Sequence, residues 1–256
     1  MSRDPFAALS LAGRTALVTG GSSGIGAATC ELLARRGAAV AVNYQHGRER
    51  AAALVASIER SGGRAITVPA DVTSPGEVDA MVQTVIAGLG PIDILVNSAG
   101  AFWETRPFDS IDEALWHRAM ALNFFGAVHS CRSVLPSMKA KGAGSIVNLS
   151  SIVTRTGGPG ETAHYASAKG ALETMTYSIA REYAANGVRV NAVSPGLIDT
   201  PVHDQNRQRF DRIAKEYAPL GRPGTATEVA EVVAFLVSNA ASYVTAQVWH
   251  VNGGRL

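Results

Sequence analysis

The chain has 256 residues, 46% hydrophobic and 17% charged, with a formal net charge of +2. That composition belongs to a packed protein and excludes a disordered one, and so small and scattered a positive charge gives no basis for nucleic acid or a membrane surface as partner. No run of about eighteen apolar residues occurs, and residues 1–12 carry Arg3 and Asp4 without a long apolar stretch, so the expected compartment is cytoplasmic.

Residues 14–19 (RTALVT) are a short apolar run that stops at glycines, and residues 25–36 continue with Ile25, Cys30, Leu32 and Leu33 at helical spacing. Gly37 ends that helix, and residues 39–43 (AVAVN) read as a second buried strand, completing a β-α-β unit. The alternation continues through helix 48–61, strand 65–69, helix 75–89, strand 92–97, a long helix 111–141, strand 145–149, helix 165–185, strand 188–193, helix 227–238 and a strand at 247–251. Parallel neighbours need right-handed crossovers. The pattern therefore predicts one α/β domain over residues 1–256: a doubly wound, Rossmann-type, mostly parallel seven-stranded sheet with helices on both faces. Residues 198–225, polar and interrupted by Pro201, Pro219 and Pro223, stand outside the alternation and are expected to form a flap. Cys30 and Cys131 read as buried thiols, and six histidines without paired spacing predict no metal site.

At the handover from first strand to first helix the chain reads Thr19-Gly20-Gly21-Ser22-Ser23-Gly24-Ile25-Gly26. A doubly wound sheet binds dinucleotides there. Glycines permit positive φ and close approach of a pyrophosphate, while the helix amino terminus offers amide donors and partial positive charge. The spacing is G-x-x-x-G-x-G and not the common G-x-G-x-x-G, so a plain glycine-rich turn is the other reading. An NAD site commonly carries Asp or Glu at the end of the second strand. Here that place reads Asn43-Tyr44-Gln45-His46 with Arg48 behind, and a missing carboxylate beside a cation favours NADP over NAD; the alternative for Arg48 is a solvated helix start. Asp71-Val72 follows the third strand, where Asp71 either meets an adenine amine or caps a helix.

Tyr165-Ala-Ser-Ala-Lys169 places a phenol and an ammonium on one helical face. A tyrosine of pKa ~10 is about 0.1% ionised at pH 7, and lowering that pKa by three units corresponds to roughly 4 kcal/mol. A neighbouring cation, Lys169 or an oxidised nicotinamide ring, acts in that direction. Upstream, Asn148-Leu149-Ser150-Ser151 puts hydroxyls at a carboxyl edge of the sheet, with Ser151 the better candidate for the site.

Four ordered motifs now stand in one chain: TGGSSGIG from Thr19, NSAG from Asn97, NLSS with YASAK between Asn148 and Lys169, and SPGLIDT from Ser194. Together they resemble the single-domain branch of the short-chain dehydrogenase/reductase family, similar to its 3-oxoacyl-acyl-carrier-protein reductases and glucose 1-dehydrogenase-like members. The resemblance implies an enzyme that passes a hydride between a nicotinamide cofactor and a carbonyl or secondary alcohol. It implies a site of Asn123, Ser151, Tyr165 and Lys169: Tyr165 as general acid/base, Ser151 on the same oxygen, Lys169 on the ribose and Asn123 anchoring a water relay. It also implies that Asn97, Ala99 and Gly100 line the adenosine ribose, and that Pro195, Gly196, Ile198 and Thr200 meet the carboxamide and phosphates. Ser98 and Ala246 depart from a frequent Asn and a frequent Gly, which puts a sheet-bracing hydrogen bond in doubt. A homotetramer or dimer is implied, paired through the helices beginning near Ile111 and Tyr165.

Phe102, Trp103, Val153, Arg155, Glu161, His164, Leu197, His203 and Tyr217 are expected to ring the nicotinamide and choose a small-molecule substrate. An acyl carrier protein needs basic residues at the site entrance. Only Lys139 and Lys141 offer themselves, and position 186 is Asn, so this substrate is not preferred over a sugar, ketone or steroid-like alcohol. Two other classes are weighed. A catalytically silent cofactor sensor or scaffold would not need the intact Ser-Tyr-Lys-Asn set, and a sugar-nucleotide epimerase would carry a further domain where only Arg255 and Leu256 follow Gly254.

Overall fold

The apolar runs become strands. β1 (Thr15–Thr19) is buried at every position, β2 (Ala39–Tyr44) at all but its first, and β4 (Ile94–Asn97) throughout. A computed structural model describes residues 7–158, 160–201 and 207–255. Between these strands and β3 (Arg64–Pro69) run α1 (Gly24–Arg35), α2 (Arg48–Arg60) and α3 (Pro75–Leu89). The second half contributes α4 (Glu113–Met120), α5 (Gly126–Lys141), β5 (Gly144–Leu149), a one-turn α6 (Val153–Thr156), α7 (Ala163–Tyr183) and β6 (Val188–Pro195). It ends with β7 (Ile198–Asp199), α8 (Arg207–Tyr217), β8 (Gly224–Thr225), α9 (Ala226–Val237) and β9 (Val248–Val251).

Seven strands form one sheet in the order β3-β2-β1-β4-β5-β6-β9, and every neighbouring pair is parallel. The expected doubly wound α/β sheet is thus present. Alternation splits each strand between two cores: Ala16 and Val18 pack with Leu33, Leu54 and Val233 of α1, α2 and α9, whereas Leu17 packs with Val78, Met81 and Val134 of α3 and α5. Full burial of one such Val or Leu is worth ~1.5–3 kcal/mol relative to exposure. The chain reverses direction across the sheet between β1 and β4, and such a switch point opens a crevice outside the carboxyl ends of the strands.

Two local features depart from the sequence reading. The helix expected over 111–141 is interrupted by a π turn at Ala121–Phe125, which separates α4 from α5. Within 198–225, β7 pairs with β8, so the segment that holds α8 leaves and rejoins the fold at one short parallel ladder. Cys30 and Cys131 are buried free thiols, as expected, and burial pushes the Cys131 thiol up to about 12. Among the described residues no helix is long and apolar enough to cross a membrane.

Candidate active site

The glycines of the first turn are there for close packing. A Cβ on Gly20, which has φ of 61°, would lie 2.8 Å from Ala99 Cα, so the turn backs directly onto the loop after β4. Gly26 likewise has no room for a side chain against the Gly20 carbonyl. Ser23, the N-cap residue of α1, is extended and makes no side-chain capping hydrogen bond, so its side chain leaves the first amides of the helix open. Gly24, with φ of 53°, faces Thr200, and Ser22 Oγ donates to the His46 carbonyl at 3.5 Å. An open helix amino terminus walled by a glycine and a threonine fits a dinucleotide pyrophosphate.

On the adenosine side, several side chains turn out to be committed to the fold. Asn43 is buried; its Oδ1 accepts from Gly20 N at 3.1 Å and its Nδ2 donates to the carbonyls of Val68 and Ala70, both at 3.2 Å. Tyr44 is buried beside it. Asp71 closes an Asx turn, accepting from the amide and hydroxyl of Thr73, and takes a further bond from Gln45 Nε2 at 2.7 Å. Val72 packs under α5, where its carbonyl meets His129 Nδ1 at 3.0 Å. The exposed groups at this corner are Gln45, His46 and Arg48, joined by Arg50, whose guanidinium folds over Gly47. Arg50 was not singled out from the sequence, although its place one turn into a helix that starts beside the second strand is a usable signal.

Asn97 faces inward: its Nδ2 donates to Asn148 Oδ1 at 2.8 Å, bracing β4 against β5. Thr19 Oγ1 accepts the amides of Ser98 and Ala99, both at 3.1 Å, so the loop is held although Ser98 replaces the frequent asparagine. Pro195 accepts from Ile152 N at 2.9 Å, Gly196 sits against Asn252, and Ile198 is buried beside Gly224.

At the other end of the crevice the four expected groups gather. α7 carries Tyr165 and Lys169 on one face, and Lys169 Nζ donates to Leu149 O at the end of β5 at 2.7 Å. Asn123 occupies the π turn; its Nδ2 donates to Ala101 O (3.0 Å) and Ala119 O (3.1 Å) while its Oδ1 accepts from Ala101 N (3.1 Å). Both side chains converge on Gly100: a Cβ there would lie 2.9 Å from Asn123 Oδ1 and 3.2 Å from Lys169 Nζ. Any residue but glycine would fill this cradle.

The electrostatics differ from the simple expectation. Burial pushes the Tyr165 phenol up, with the Ser151 hydroxyl beside it pulling the other way. Lys169 does not offset that burial, because its Nζ is 5.8 Å from the ring centroid and turned to Leu149, and desolvation brings its own pKa down to about 8.

Of the expected rim, Phe102 packs edge-on to the Tyr165 ring at 5.5 Å and Trp103 lies under the Arg118 guanidinium. Val153 is half-buried and Arg155 exposed. Glu161 takes a left-handed φ of 57° and its carbonyl accepts from Arg106 N at 2.9 Å, latching two loops together. Leu197 borders a 300 Å³ cavity with Leu220, Arg222 and His250. Tyr217 is exposed and covered by Arg255. His164 is a correction: α7 starts two residues before the expected helix, which puts His164 in its first turn, fully buried against Trp116 and away from the rim. His203 lies outside the described residues.

Known proteins resemble this chain over nearly its whole length. A family model described as enoyl-(acyl carrier protein) reductase matches residues 20–255. YgfF of Escherichia coli (strain K12), an uncharacterised oxidoreductase, is 40% identical over 245 residues, 94% of this chain and 99% of that one. The 3-oxoacyl-(acyl-carrier-protein) reductase FabG of Staphylococcus aureus is 38% identical over 241 residues, 94% of this chain and 97% of that one. Among solved structures, a 7 alpha-hydroxysteroid dehydrogenase complexed with NADH and 7-oxo glycochenodeoxycholic acid matches with a TM-score of 0.92 at 32% identity, over 97% of this chain and 96% of that one. A gluconate 5-dehydrogenase from Burkholderia cenocepacia J2315, in complex with NADP and tartrate, matches with a TM-score of 0.90 at 32% identity over 96% of both chains.

Proposed function

The chain belongs to the short-chain dehydrogenase/reductase family and is an NAD(P)-dependent oxidoreductase, and from that premise we propose that it moves hydride between NADP(H) and a carbonyl or secondary alcohol, with Tyr165 as general acid/base. The observation that carries this reading is the convergence of Tyr165, Ser151, Lys169 and Asn123 at the carboxyl end of β5 and around Gly100. Bound in the crevice, the nicotinamide supplies the hydride. A phenol whose pKa is raised stays protonated at neutral pH, which suits Tyr165 to donate to a carbonyl oxygen during reduction. Ser151 donates to the same oxygen. Lys169 holds the ribose, and Asn123, fixed by Ala101 and Ala119, keeps the loop that carries Gly100 in register with it.

The cofactor reading rests on the uncapped start of α1, the Gly24–Thr200 approach and the cations after β2. With Asn43 and Asp71 spent on the fold, choice between cofactors falls to His46, Arg48 and Arg50, and paired arginines recognise a 2′-phosphate by charge-assisted hydrogen bonds. Residues 198–225 serve as the substrate flap of this one domain, and Phe102 restricts what reaches Tyr165. Phe125, just ahead of α5, and Tyr177 on α7 are large exposed apolar groups on the helices expected to pair subunits, which supports a homotetramer or dimer. Two free buried thiols suit a cytoplasmic protein.

The test follows nicotinamide absorbance over a panel of alcohols and ketones with NADP(H) and NAD(H). Turnover with the phosphorylated cofactor, lost by about 10²-fold or more in Tyr165→Phe while NADPH still binds, is expected. Arg50→Ala should weaken NADPH about tenfold and leave NADH unchanged. Equal or better use of NAD(H) by the parent protein would reject the cofactor assignment, and full activity in Tyr165→Phe the catalytic one.

A further inference from the structure

Apart from the Tyr165 phenol beside it, Ser151 has little of its own to hold it. Its Oγ takes one long bond from Val153 N, 3.4 Å, and the residue is half-buried at the mouth of the crevice. The residues on either side are fixed far better, and by a single carboxylate. Glu173 lies on α7 one turn beyond Lys169, and its Oε1 accepts the Ser150 hydroxyl at 2.6 Å. The same oxygen stands 3.0 Å from Thr154 Oγ1, which is also 3.0 Å from the Ser151 carbonyl, so the one Thr154 proton is shared along this path. Ser150 is buried, and its amide donates to Val193 O at 2.7 Å. Glu173 thereby clamps both ends of the Ser150–Thr154 turn onto the helix that carries Tyr165 and Lys169.

We propose that Glu173 is a positioning residue: through Ser150 and Thr154 it fixes where the Ser151 hydroxyl points relative to the Tyr165 phenol. The proposal rests on the reading of Ser151 given above. What the clamp requires is an acceptor for two hydroxyls, which a neutral amide oxygen also supplies. The alternative role is a charge acting on His250, which Glu173 and Arg155 bias in opposite directions; there the negative charge itself is required.

The experiment compares Glu173→Ala and Glu173→Gln, each alone and combined with Ser151→Ala, by kcat, KM, NADPH affinity and thermal midpoint. Glu173→Ala is expected to lower kcat about tenfold, short of the ~10²-fold that a fully misplaced group costs, with NADPH affinity unchanged. Glu173→Gln should restore most of the loss, and Glu173→Ala should cost nothing further once Ser151 is already Ala. Thr154→Val, which removes one contact without touching α7, should reproduce part of the loss if Glu173→Ala folds poorly. A glutamine as poor as alanine overturns the clamp in favour of the charge. So does a Glu173→Ala loss of equal size in an impaired Ser151→Ala background, which leaves the serine assignment standing. A fully active Ser151→Ala would instead remove that assignment and the clamp together.

Discussion

A Cβ added to Gly24 would stand 3.4 Å from Cγ2 of Thr200, so the first turn of α1 and the chain just past β7 meet across the mouth of the crevice. The contact itself is ordinary; the conformation is what demands glycine, because Gly24 has φ of 53° and a left-handed L-residue costs ~1–2 kcal/mol. Gly24→Ala is therefore expected to shift the open amides of α1 and weaken NADPH about tenfold, with a smaller loss of thermal stability. Titration by nicotinamide fluorescence checks this, and an unchanged affinity would mean that this helix end does not hold phosphate.

Lys169 gives a pH signature. Burial lowers its pKa to about 8 in the folded protein, against 10.5 for an ordinary lysine. The folded chain therefore binds fewer protons than the unfolded chain between those values, and this group's contribution to stability rises with pH across that window. For binding the sign is opposite. If the ammonium donates to the ribose as proposed, it is lost above about pH 8, so NADPH affinity should fall there, and Lys169→Met should bind weakly with a flat profile. A parent profile that is itself flat from pH 7 to 9.5 counts against the assigned role.

His164 is fully buried with neither ring nitrogen hydrogen-bonded among the described residues, and burial lowers its pKa, with Arg118 acting in the same direction and Glu104 against it. A lowered histidine pKa means that the unfolded chain takes up the proton first. Stability from this group is complete above about pH 6.5 and declines as the pH falls toward the folded value. Glu228, held near 2 by Arg222, loses its share only below the ordinary carboxylate range of about 4.5, so the two windows separate. Replacement by His164→Phe should keep the packing on Trp116 and flatten thermal midpoints between pH 6.5 and 5. An identical slope in the two proteins would assign that acid sensitivity elsewhere.

Ala246 has φ of 56°, a conformation that glycine adopts freely and alanine does not, while its amide donates to Val190 O at 2.8 Å just before β9. The strained residue marks the turn that hands the chain to the edge strand. Ala246→Gly is expected to stabilise the protein by ~1 kcal/mol, or about 2–4 °C in thermal midpoint for a chain of this size. A drop in midpoint on this substitution would show that the alanine side chain contributes more by packing than its backbone costs.

The strands and the placement of the two ends of the crevice were legible because buried parallel strands leave continuous apolar runs, and because Thr19 to Gly26 and Tyr165 to Lys169 sit where runs change type. Direction of side chains was not. Asn43 occupies the expected place at the end of β2 yet points into the sheet, since whether a strand-end residue faces the turn or the ribose depends on which carbonyls of β3 happen to be within reach. The π turn at Asn123 was hidden for a different reason: it leaves the segments on either side of it helical, so a reading by helical spacing runs straight through it. Glu173 carried a signal, the i, i+4 spacing from Lys169, but its partners come from the turn after β5 and are close only in space.

The two-residue ladder between Ile198–Asp199 and Gly224–Thr225 has an evolutionary reading. Whatever lies between these rungs starts and finishes at the same point, so insertions or deletions within it leave the strand registers of the main sheet untouched. If the segment is the substrate flap proposed above, selection can rewrite it without disturbing the strands that carry the proposed proton and hydride chemistry, and grafting it between relatives would exchange their substrate preferences.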